Sequence, residues 1–111
     1  MDYHKSRKIE NSKAFMPVHL QKLRACEHGV FYSMTHYYEQ NGDLMRDPDM
    51  EFIVTDSGQV FPAYFRMDNP PIDEESIFYE HDRYKVIPKL QRKHAVFANK
   101  WIENIQEQQN L

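Results

Sequence analysis

The side chains best equipped for chemistry sit near the middle of the chain. Asp47, Asp49 and Glu51 alternate, so an extended backbone would project all three carboxylates from one side. With His36 or Asp43 beside them, such a set could hold Mg²⁺ or Mn²⁺ through oxygens and activate a water, the working parts of a metal-dependent hydrolase or nuclease. Two features weigh against that chemistry. Pro48 interrupts the alternation, and no Asp-x-Lys or Glu-x-Lys pair follows Asp49 to polarise the water. The histidines at 4, 19, 28, 36, 81 and 94 lack a His-Glu-x-x-His spacing, and the single cysteine, Cys26, allows no Cys-x-x-Cys zinc or redox pair. Gly29, Gly42 and Gly58 lie too far apart to cradle a phosphate. The expectation is therefore a non-enzymatic protein with no catalytic residue, no metal and no cofactor.

Binding is the stronger reading, and charge suggests where. The 111 residues carry a net charge of −3, but its parts are segregated: residues 1–30 carry +3, residues 31–83 carry −9 and residues 84–111 carry +3. An acidic centre of this kind can imitate a phosphate backbone and occupy the Lys/Arg sites of a nucleic-acid-binding partner. The candidate partner-binding set is Tyr37, Asp43, Arg46, Asp47, Asp49 and Glu51. The alternative is direct nucleic-acid binding through the basic face of a C-terminal helix, Lys89, Arg92, Lys93 and Lys100, with Tyr32, Tyr37, Tyr64 or Phe65 stacking on bases. A homodimer through an aromatic sheet face is a further expected arrangement.

Positioning these groups requires a particular set of elements. With 41% hydrophobic and 14% aromatic residues the chain fits one domain. Residues 1–13, polar and aperiodic, are expected to form a flexible arm before a single α+β domain over 14–111. Phe15, His19, Leu23 and Cys26 recur at helical spacing, with Pro17 suited to a first turn and Gly29 to a stop, which predicts an N-terminal helix from about Phe15 to His28. Val30 to Tyr38 alternates as a strand, Asn41-Gly42 marks a tight hairpin, and Asp47-Pro48-Asp49 reads as a break. Met50 to Thr55 and Gln59 to Met67 read as strands, 68–75 as an acidic loop, and Ile77-Phe78-Tyr79 as a short strand. After Pro88, the residues Leu90, His94, Phe97, Ala98, Trp101 and Ile105 form one apolar stripe. The expected fold is α+β: an N-terminal helix, an antiparallel meander of three to four strands, and a long C-terminal helix packed on one sheet face. The lone cysteine, the absence of an apolar run after the basic residues 1–8 and the lack of a membrane-spanning stretch point to a soluble, cytoplasmic protein.

The run from Thr35 through Phe52, Thr-His-Tyr-Tyr-Glu-Gln-Asn-Gly-Asp-Leu-Met-Arg-Asp-Pro-Asp-Met-Glu-Phe, is distinctive. It resembles a family of small uncharacterised bacterial proteins of plasmids, conjugative elements and phages, a domain of unknown function with the signature YYEQNGDLxxDPxMxF. The resemblance extends to Met16-Pro17-Val18-His19-Leu20 and to Phe97-Ala98-Asn99-Lys100-Trp101-Ile102-Glu103-Asn104-Ile105-Gln106, and so spans about residues 9–109. Its setting implies a protein that binds a host or element-encoded macromolecule. The sharpest expectation is an inhibitor of a host defence nuclease complex, of the anti-CRISPR or anti-restriction type.

Overall fold

The computed structural model describes residues 6–111. Six strands run consecutively antiparallel, each neighbour in sequence being its neighbour in the sheet: β1 (Ser6–Ile9), β2 (Val18–Cys26), β3 (Gly29–Gln40), β4 (Asp43–Thr55), β5 (Val60–Asp68) and β6 (Pro71–Glu75). A separate hairpin, β7 (Ile77–Glu80) and β8 (Arg83–Val86), leads into α1 (Pro88–Gln108). The fold is α+β, but the sheet is larger than a three- to four-strand meander and, among the described residues, no helix precedes it.

The segment expected as an N-terminal helix is strand β2. It pairs with β1 from Val18 to Gln21 and with β3 along its length, from Val18↔His36 to Cys26↔Gly29. A bulge between Lys22 and Arg24 explains the misleading period. Leu20 packs in the core beneath α1, whereas Leu23 and Cys26 pack in a second cluster with Phe31 and Ile53. One inserted residue thus brings Cys26 onto the same face as Leu23 and converts a two-residue step into a three-residue one.

Two further expectations are corrected. Asp47-Pro48-Asp49 does not break the chain but lies inside β4, with Pro48 buried and the irregularity absorbed by a register shift between Thr35 and Tyr37. The acidic stretch 68–75 is not a loop: Asp68 ends β5, Asn69-Pro70 turns, and β6 pairs back from Asp68↔Pro71 to Tyr64↔Glu75. Of residues 1–13, the first five lie outside the described residues and 6–9 form the edge strand β1. The Asn41-Gly42 reversal is present, with φ values of 52° and 84° that a two-residue hairpin of the primed type requires.

The sheet is buried unequally on its two faces. On one, α1 sets Ala98, Trp101 and Ile105 against Val18, Met50, Phe52 and Phe65. On the other, Phe31, Ile53 and Ala63 are covered by Ile77 and Tyr84 of the β7–β8 hairpin. The end of α1 is fastened by Gln109, fully buried, whose side chain accepts from Ser12 N–H (2.9 Å) and donates to the Met16 carbonyl (3.2 Å). No helix among the described residues is long and apolar enough to cross a membrane.

Candidate functional site

The face of the sheet turned away from α1 carries much of the set proposed from sequence. Asp49 and Glu51 do project from one side of β4, but as members of a charge ladder. Thr35 Oγ1–H donates to Asp49 (2.9 Å), Arg66 lies 3.6 Å from Asp49 and 3.3 Å from Glu51, and Arg24 reaches Glu51 at 3.4 Å. Their side chains are only 13% and 15% exposed, so little carboxylate surface remains for a ligand. Burial pushes the Glu51 carboxyl up, while Arg24 and Arg66 pull it down.

The same pairing recurs along β5. The Arg46 guanidinium grips Asp68 through Nε (3.1 Å) and Nη2 (2.6 Å) while its backbone N–H donates to the other carboxylate oxygen at 2.7 Å. These bonds hold the Asp68 carboxyl down at about 2 and raise the Arg46 guanidinium. The Tyr64 hydroxyl donates to Asp73, which pushes the phenol up to about 12, and Arg66 stacks over the Tyr64 ring at 4.5 Å. Tyr37 stands edge-on to His19 at 5.1 Å between ring centroids. Asp43 is exposed at the start of β4 beside the hairpin turn, away from Asp49 and Glu51, and Asp47 bears electrostatically on His36. Sequence reasoning missed the neutralising partners Arg24 and Arg66, which lie 27 and 15 residues from Glu51 and meet it only through strand register. Among the described residues no group of three or more His, Cys, Asp or Glu side chains converges on a point where a metal ion could sit.

A serine, a histidine and a glutamate do line up in the core. His94 Nδ1 is 3.1 Å from Ser76 Oγ and Nε2 is 3.1 Å from Glu74, the sequence of groups that activates a hydroxyl nucleophile. Ser76 is 0% exposed and its hydroxyl also reaches the Pro62 carbonyl at 3.3 Å, so no substrate meets it. The arrangement locks β6 to α1 and satisfies polar groups beneath the helix.

The open ground lies on the helix side of the sheet, where α1 leaves part of the strands uncovered. One hollow of about 570 Å³ is floored by Leu20, Tyr32 and Val54 and walled by Arg7 and Lys22. A second, of about 400 Å³, lies between β5 and the flank of α1, where Phe52 and Val60 face Arg92, Asn99 and Ile102. Tyr32 pairs with Phe52 and Val54 with Val60 in the sheet register, so the two hollows abut as one trough. Volumes of this size suit bound groups rather than trapped water.

The basic helix face expected from sequence divides around this trough. Lys89, Arg92, Lys93 and Lys100 are all exposed on α1. Arg92 lines the trough, while Lys93, a hundred degrees further round the helix, pairs with Glu74 at 3.0 Å. Together with Lys93, and to a lesser degree His94, this pairing holds the Glu74 carboxyl below its ordinary value.

The described residues thus form an antiparallel sheet backed by one C-terminal helix, with charges paired on one face and an uncovered trough on the other. The chain belongs to the family described as a domain of unknown function (DUF6908), whose model matches residues 2–111. No curated protein and no solved structure matches it.

Proposed function

We propose that the protein acts by binding an anionic macromolecule in the trough between the sheet and α1. The observation that carries this reading is compositional: among the described residues, those lining the two hollows include Arg7 and Arg92 but no Asp or Glu, in a chain with 17 acids and a net charge of −3. A concave, partly apolar floor with arginines on its walls concentrates anions by field and by desolvation. The acidic-surface reading has less support, because Asp49 and Glu51 are neutralised by Arg24 and Arg66.

The test is retention on immobilised heparin, used as a generic polyanion, for the full chain and for the double variant Arg7→Glu, Arg92→Glu. The full chain should be retained at low salt and the variant should flow through with an unchanged circular dichroism spectrum. Equal elution of the two proteins would remove the trough as the ligand surface.

A further inference from the structure

The trough holds more than positive charge, and its remaining groups narrow the ligand. We infer that it takes single-stranded nucleic acid, with Tyr32 stacking on a base and Arg7 and Arg92 meeting phosphates; this inference rests on the trough being the ligand surface. Tyr32 stands half-buried on the sheet floor, one residue across from Lys22 on β2 and from Phe52 on β4. A ring fixed in a sheet with an arginine, Arg7, lining the same hollow is an arrangement that holds an unpaired base by its face and its phosphate by charge.

The opposite wall adds polar groups suited to base edges. Gln91 and Asn99 lie on the same flank of α1 as Arg92, and Gln91 is anchored at the bottom by its amide N–H donating to the Pro62 carbonyl at 3.4 Å. Val60, paired with Val54, and Phe52 extend the apolar floor beneath them. A duplex would present its phosphates to the rims but leave the floor and its rings without a partner, since its base faces are already stacked. An acidic peptide would use the same cations yet offers no planar group for Tyr32.

The decisive experiment is fluorescence anisotropy with three labelled probes: a twelve-nucleotide single strand, the matching duplex and an oligoglutamate peptide. The single strand should bind most tightly, and Tyr32→Leu, which keeps an apolar side chain on the floor, should weaken it about tenfold, with Tyr32→Phe restoring affinity. Heparin retention should be the same for both Tyr32 variants. Oligoglutamate or duplex binding as tight as the single strand, or an undiminished affinity in Tyr32→Leu, overturns the assignment. Heparin retention without oligonucleotide binding overturns this inference alone, whereas failure to bind any polyanion overturns both it and the trough reading.

Discussion

Glu51 lies on the sheet face that α1 leaves bare, yet its carboxylate is among the less accessible acids of the chain because Arg24 and Arg66 close over it. Alternation in the sequence was enough to place Asp49 and Glu51 on one face. Their electrostatic state was not legible, because it is set by arginines from β2 and β5 whose register depends on two bulges. A buried group with a sharper consequence is His36. Its Nδ1 accepts the Trp101 indole N–H at 3.2 Å, which fixes a neutral ring protonated at Nε2. A second proton would have to go on Nδ1 and break that bond. Burial holds the His36 pKa below its ordinary value of 6.5, opposed by Asp47 and aided by His19, which is itself lowered by burial and Lys8. The unfolded chain therefore binds the proton first. The stability this neutral ring contributes is full above pH 6.5 and is lost as pH falls from there towards the folded pKa. Urea unfolding at pH 7.5 and pH 5.0 should show the loss, and His36→Gln should reduce it, since an amide oxygen can still accept from Trp101 and does not titrate. Asp68 and Glu74, both held low, lose their contributions only at more acid pH, while His19, also held low, adds to the loss in this window and Glu51, held high, opposes it, so the difference between the two proteins is what reports His36. An unchanged pH dependence in His36→Gln would show that other groups set it.

Helix α1 and the β3–β4 hairpin were legible at the level of elements because each is locally determined. The first has a stripe at His94, Ala98, Trp101 and Ile105 that is buried as a unit, and the second has Asn41 and Gly42 at the only positions where positive φ is needed. Strands β2 and β6 were not, because their identity comes from neighbours. The bulge at Lys22 and Arg24 gives β2 a helical period, and the prolines and acids of β6 resemble a loop until Glu74 and Asp73 meet Phe65 and Arg66 across the ladder. The same dependence on neighbours acts at Gly29. This residue opens β3 opposite Thr55, and a Cβ there would lie 2.1 Å from the Val54 carbonyl oxygen and 2.8 Å from the Thr55 Cα. Neither contact is with a side chain that could rotate away, so β3 and β4 would have to separate at the point where His28 also accepts a hydrogen bond from Asp56 N–H. Gly29→Ala should therefore cost at least about 2–3 kcal/mol, the upper range for overpacking, as read from the urea midpoint. A loss below about 0.5 kcal/mol would mean that the end of the sheet yields freely.

Across the whole molecule, the segregation of charge along the sequence becomes segregation in space. The two basic ends of the chain converge: Arg7 and Lys22 come from β1 and β2, Arg92 comes from α1, and the three line one trough. The acidic middle supplies Asp49, Glu51, Asp68 and Asp73 to the other side of the sheet, where Arg24, Arg46, Arg66 and Tyr64 hold them. That face is neutralised internally, an arrangement that a summed charge of −3 conceals. The consequence is a defined salt dependence. Each phosphate contacted on a single strand releases counterions worth a slope of about 0.7 in log affinity against log salt, so Arg7 and Arg92 together give a slope of about −1.4. Arg7→Gln should weaken binding and flatten the slope by about 0.7, because it removes one contact and leaves the others in place. Asp43→Asn, at the exposed hairpin start, should leave both affinity and slope nearly unchanged. A slope insensitive to Arg7 and Arg92 but steepened by Asp43→Asn would mean that the field at the hairpin governs association, and would return the ligand surface to the acidic end of β4.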